Sequence, residues 1–189
     1  MPTIFTHAAI PLLTGAALGQ KRISRRLLAT AAIAAMLPDA DVLGFRFHIP
    51  YASAFGHRGA MHSLAFGLVV ALLAMLWHRH LHTRAVRAFV CVAIAALSHP
   101  LLDMLTDGGQ GVALAWPWST DRWFFPWQPI HVSPIGARFF SARSLPVIGS
   151  ELLWVWLPVG LLALAIWFWC KRRDDGSTQQ PAAPPPSWS

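Results

Sequence analysis

The chain has 189 residues, 55% hydrophobic and 12% charged, with 10 Trp and a formal net charge of +7. A soluble domain carries about 25% charged residues, so this composition excludes an ordinary soluble fold and points into a bilayer. The Lys and Arg residues gather at the ends of apolar runs, which marks membrane topology and gives no reason to expect nucleic acid as a partner.

Roughly 20 mostly apolar residues cross the hydrocarbon of a bilayer, and the apolar runs at 4–19, 27–43, 60–77, 85–106 and 152–170 predict five transmembrane helices. The first run carries His7 and is followed by Lys21, Arg22, Arg25 and Arg26, the reverse of the charge order in a cleavable signal peptide. The second ends in "LPDADVL", where Pro38 breaks the helix and Asp39 and Asp41 follow in an irregular turn. The third opens with "HRGAMHS", which holds His57, Arg58, His62 and Ser63. The fourth ends in "SHPLLD", which holds His99 and Asp103. An outer loop, 107–150, packs six Trp and Phe between prolines in "WPWSTDRWFFPWQPIHVSPIG", a composition suited to the headgroup layer. Glu151 opens the fifth run, and the residues after it lead to a Pro-rich tail. The predicted fold is all-α: a polytopic bundle over 1–173, followed by a disordered tail at 174–189. Cys91 and Cys170 fall inside spans as small hydrophobes.

Placing the basic clusters 21–26, 79–87 and 171–173 in the cytoplasm puts the N-terminus outside and the C-terminus inside. His7, Asp39, Asp41, His57, His62, His99 and Asp103 then converge at the outer ends of the spans, although none of them was used to set the topology. Ionisable residues inside a membrane are rare and mark functional sites by default. His99 and Asp103 are spaced i, i+4 and share a helix face. Imidazole with carboxylate suits a divalent transition metal, Zn above all and Mn next, and seven such side chains suffice for one or two ions. Each residue also has a plainer reading. A His and an Asp four apart make an ordinary buried hydrogen bond, and two aspartates after a proline make a helix-ending turn. His78, His80 and His82 alternate among arginines on the opposite face, with no carboxylate near, and are set aside.

In order along the chain, "THAAI", "LPDADVL", "HRGAMHS" and "SHPLLDMLTDGG" resemble the YdjM-like family of bacterial inner-membrane proteins. That family is described as metal-dependent hydrolases and as LexA-binding membrane proteins. The resemblance spans 1–173. It implies metal-associated residues at His7, Asp39, Asp41, His62, His99 and Asp103, with His57 and Arg58 from the HRG element. Met61 and Asp107 depart from the family pattern, which has Thr and Asn there; neither change removes a ligand, and Asp107 could add one.

The resulting expectation is a membrane-bound hydrolase that uses metal-activated water on an ester or phosphoester, of a lipid or lipid-linked phosphate. Asp39, Asp41, His62, His99 and Asp103 carry the chemistry, and His7 and His57 are further ligands. Arg58, Ser63, Arg122, His131 and Glu151 meet the substrate, Arg58 and Arg122 by neutralising phosphate. Two alternatives stay open: an ion- or proton-coupled transporter, and a non-enzymatic protein that binds a regulatory partner and carries a structural metal.

Overall fold

The computed structural model describes residues 1–134, 139–142 and 144–178. It is helical: α1 (Ile4–Leu18), α2 (Arg25–Met36), a 3₁₀-helix (Leu37–Phe47), a short 3₁₀-turn (Ala60–His62), α3 (Leu64–Leu76), α4 (Ala85–Met104), α5 (Ser144–Glu151), a π-helical segment (Leu152–Trp156) and α6 (Leu157–Thr178). Isolated bridges pair Thr106 with Ile130 and Val112 with Trp123, and there is no strand among the described residues. Three stretches, Arg25–Phe47, Ala85–Met104 and Ser144–Asp175, are long and apolar enough to cross a membrane; α1 and α3 are shorter apolar helices.

Local chemistry sets the element ends. Ser24 and Ser63 begin α2 and α3 as caps, their hydroxyls accepting from the N–H groups of Leu27 and Phe66 at 3.1 Å. Beyond Met36 the chain tightens into a 3₁₀-helix with Pro38 in its first turn. Such a helix rarely runs beyond three or four residues, yet this one has 11.

The helical stretch predicted from 152 begins at Ser144. Pro146 falls in its first turn, where no intrahelical N–H is required. Glu151 does not end it, because Thr3 and Thr6 hydroxyls donate to its buried carboxylate at 2.7 and 2.6 Å. The π-helical segment follows at once and lets Trp156 donate its indole N–H to Thr6 Oγ1 at 2.9 Å. At the other end α6 runs past 173, and Asp174 pairs with Arg22 at 2.7 Å. The predicted tail from 179 onward lies outside the described residues.

α4 is central, packed against α3 and α2, and α1 joins α2 to α6. Membrane helices associate through small residues that let backbones approach, and Ala31, Ala35, Ala71, Ala74, Ala88, Ala95 and Ala96 are buried here. A Cβ on Gly67 would lie 2.7 Å from Leu97 Cδ2, so this glycine sets how closely α3 meets α4. Leu72, Leu73, Leu76, Ile94, Leu161 and Phe168 face outward, an apolar surface that belongs in lipid. Residues 48–59 and the long loop that follows α4 close one end of the bundle. Ala113 N–H donates to Arg58 O at 2.9 Å, Phe125 N–H to Met104 O at 2.9 Å, and Ile130 N–H to Leu105 O at 3.2 Å. Trp118, Trp123 and Trp127 of the long loop point outward.

Candidate metal centre

Four elements meet beneath these loops. α1 presents His7, the long 3₁₀-helix Asp39 and Asp41, the 3₁₀-turn His62, and α4 His99 with Asp103. All six are buried, and His7, His62, His99 and Asp103 are fully so. With three residues per turn, side chains two apart on a 3₁₀-helix diverge by roughly 120°. Asp39 and Asp41 accordingly serve two different groups of partners.

Asp39, His62, His99 and Asp103 form the first group, with one ligating atom of each within 4.8 Å of all the others. His99 Nε2 lies 3.0 Å from His62 Nε2, 3.5 Å from Asp39 Oδ1 and 3.9 Å from Asp103 Oδ2. His62 Nε2 lies 3.3 Å from Asp103 Oδ2 and 3.8 Å from Asp39 Oδ1. His7 stacks on His99 with ring centres 3.7 Å apart, and its Nε2 is 3.6 Å from Asp103 Oδ1 and 3.9 Å from Asp39 Oδ2.

The tautomer of His99 follows from the far side of its ring. His99 Nδ1–H donates to the Ala35 carbonyl at 2.7 Å, so its Nε2 carries a lone pair. His62 Nδ1 lies 3.1 Å from Asp41 Oδ2 without completing a hydrogen bond; a proton held on that side would leave its Nε2 bare as well. The two Nε2 atoms face each other across 3.0 Å, a separation that one N–H donor fills when no cation is bound. They are ringed by Asp39 and Asp103, whose four carboxylate oxygens have no hydrogen-bond partner; neither ring nitrogen of His7 has one. Buried polar atoms are nearly always paired, and an unpaired buried carboxylate is costlier still. Three carboxylates meet here against one guanidinium, that of Arg58, an excess of negative charge that a bound cation would offset. The donor set, imidazole nitrogens with carboxylate oxygens, fits a transition metal.

The second group is Asp41, His57 and His62. Asp41 is already engaged: it accepts from His57 Nδ1–H at 2.6 Å and from the Arg58 N–H at 3.0 Å. It therefore stands behind His62, in the position of a carboxylate that orients a metal-binding histidine. Tyr51 packs edge-on against His57, ring centres 5.1 Å apart.

The residues expected to meet substrate have other partners. Arg58 is fully buried in a left-handed conformation, φ 61°. It donates to Gly108 O and Thr106 Oγ1 at 2.9 Å, with its Nε 3.3 Å from Asp103 Oδ2. Arg122 donates to the carbonyls of His57, Tyr51, Ser53 and Gly111 at 3.0 to 3.4 Å, fastening one loop to the other. Ser63 is the cap of α3, and Glu151 ties the start of α5–α6 to α1. His131 pairs with Asp107 at 2.6 Å on the exposed side of the long loop, outside both groups. Burial acts to raise the Asp107 pKa, but the His131 hydrogen bond and the Val132 N–H outweigh it and hold the carboxyl below the ordinary carboxylate range. On the far face Arg26 donates to the His80 carbonyl.

Some supporting groups carried no sequence signal. The Ala35 carbonyl that orients His99 is one. Thr106 stands three residues after Asp103 and Thr6 just before His7, inside the quoted motifs, but neither is a ligand type.

Fold and site together define a helical membrane protein with a buried His/Asp cluster able to hold a metal ion. The sequence profile of the family described as YdjM inner membrane protein matches residues 1–174. The chain belongs to this family. It is 48% identical over 174 residues to the inner membrane protein YbcI of Escherichia coli strain K12, covering 91% of this chain and 100% of that one. It is 38% identical over 150 residues to the inner membrane proteins YdjM of Escherichia coli strain K12 and of Shigella flexneri, covering 71% of this chain and 68% of each. No solved structure matches it.

Proposed function

We propose that the chain is an inner-membrane, metal-dependent hydrolase of an ester or phosphoester, with its site at the outer face, its N-terminus outside and its C-terminus in the cytoplasm. The observation that carries this reading is the convergence of the Nε2 atoms of His62 and His99 on the carboxylates of Asp39 and Asp103, whose oxygens have no hydrogen-bond partner. These four residues would hold one ion, Zn in first place, with His7 as a further ligand. When bound, such an ion supplies Lewis acidity and a water acidic enough to act as nucleophile near neutral pH.

The chain's own residues do the rest. Asp41 orients His62 through Nδ1, and His57 and the Arg58 N–H fix Asp41 in turn. Arg58 offsets the charge of Asp103 and stays out of contact with substrate. Whichever oxygen of Asp39 or Asp103 is not ligating can take a proton from water. A single ion accounts for both groups, because Asp41 and His57 spend their contacts on each other and on His62. The ionisable residues gather at one end of the bundle, which favours a site over a transport path.

The test is turnover on a panel of lipid esters, lipid phosphates and phosphodiesters, by purified protein as isolated, after chelation, and after reloading with Zn²⁺ or Mn²⁺. Turnover lost on chelation and restored by metal supports the reading. Stoichiometric metal with no turnover on any substrate overturns the hydrolase and leaves a structural metal.

A further inference from the structure

The outer loops seal the metal centre from above. Arg122 is anchored to four loop carbonyls, Tyr51 covers His57, and Ala113 N–H is bonded to Arg58 O. One cavity reaches a proposed ligand from the side. Its volume is about 230 Å³ and it lies between the start of α1, the 3₁₀-helix and the long loop, with Ile4, Phe5, Val42 and Phe139 in its wall beside Asp39. Asp39 is 3% exposed and both its oxygens lack partners. Three other cavities among the described residues touch none of His7, Asp39, His62, His99 or Asp103.

The lip of this opening is apolar. Phe5 is 68% exposed and Ile4 37%, at the outer end of a helix whose sides face lipid. Thr3 and Ser133 also line the cavity, but the side chains at its mouth are Ile4 and Phe5, and a hydrated ion passing them would shed water against apolar surface. A molecule already in the membrane brings its own apolar surface, and its chain gains contact with the same side chains.

We propose that the centre is served sideways, from the outer leaflet, by a membrane lipid. Its ester or phosphoester linkage reaches Asp39, and an acyl chain lies against Ile4, Phe5 and Val42. This rests on the hydrolase reading and adds the route and the residues that select for a lipid.

The experiment uses full-length protein loaded with Mn²⁺, in nanodiscs of phosphatidylethanolamine and phosphatidylglycerol, with 31P coupling to the Mn²⁺ spin read by electron paramagnetic resonance. The expected result is a 31P coupling in wild type. It is lost in Val42→Trp, which fills the opening, and reduced in Phe5→Asp, which charges the lip, while both variants keep wild-type Mn²⁺ stoichiometry. That stoichiometry shows each variant to be folded around its site. In detergent free of phospholipid, glycerol phosphate should give no coupling. Equal coupling from glycerol phosphate in wild type and Val42→Trp overturns the lateral route in favour of a soluble phosphate. Mn²⁺ bound without any 31P coupling in nanodiscs overturns the lipid alone. Failure of wild type to bind Mn²⁺ or Zn²⁺ removes the metal reading beneath it.

Discussion

His62 and His99 face each other through Nε2 atoms 3.0 Å apart, and His99 directs its Nδ1 proton to the Ala35 carbonyl on the far side. With carboxylates of Asp39 and Asp103 around them, a cation bound by both nitrogens would replace the proton that otherwise joins them. The arrangement predicts that His99→Ala lowers Zn²⁺ affinity by more than the roughly 10–100-fold typical of losing an outer partner. Competition against a chromophoric chelator measures it; an unchanged affinity would remove His99 from the ligand set.

Asp41 separates orientation from ligation. Asp41→Asn keeps the shape but loses the charge that faces His62 Nδ1 and accepts from His57 and the Arg58 N–H. Zn²⁺ affinity should fall roughly 10–100-fold, with one ion still bound at saturation. Loss of a second ion from a wild type that carried two would instead make Asp41 a ligand of its own centre.

Glu151 has a structural task. Glu151→Ala removes the acceptor of the Thr6 hydroxyl where α1 meets α5 and leaves Thr3 Oγ1 only Thr6 Oγ1, 3.1 Å away, at about 1–3 kcal/mol for a buried group left unpaired. The melting temperature should drop while metal stoichiometry stays at the wild-type value. Loss of metal with an unchanged melting temperature would place Glu151 in the site.

Gly109 allows the Arg58 guanidinium to pass. Its φ is +94°, and a Cβ there would lie 2.8 Å from Arg58 Nη1 and 2.9 Å from the Tyr51 hydroxyl. Gly109→Ala should destabilise by about 1–3 kcal/mol from backbone strain alone, with more from displacing Arg58. Chemical denaturation in detergent reads the change.

The Asp107–His131 contact pins the long loop to the end of α4. The Asp107 pKa is lowered in the folded protein, so its contribution is full above the unfolded value near 3.8 and is lost as pH falls through the folded value. The Val132 amide, which donates to Asp107 at 2.8 Å, should stay protected from hydrogen exchange at pH 6 and lose protection only below about pH 4. Protection already lost at pH 5 would show that the Asp107 carboxylate does not hold the loop.

Much of this site is legible in the sequence because of where charge is forbidden. Asp39, Asp41, His99 and Asp103 stand out against apolar runs, and the basic clusters alone bring them to one end of the bundle. The division of labour between Asp39 and Asp41 is not legible, since it depends on the 3₁₀ geometry after Pro38. The quiet roles of Arg58 and Arg122 are hidden too: a guanidinium bound to backbone carbonyls looks the same in sequence as one waiting for phosphate. The early start of α5 was masked by Glu151, whose charge reads as a helix boundary until Thr3 and Thr6 are seen to bury it.

The most direct test of the account is the metal content of purified protein by elemental mass spectrometry, wild type beside Asp39→Ala and the lipid-facing control Leu72→Ala. The account predicts about one transition-metal ion per chain in wild type and control, and a large loss in Asp39→Ala. Wild-type protein that carries no transition metal, and takes up none when Zn²⁺ or Mn²⁺ is supplied, would contradict it.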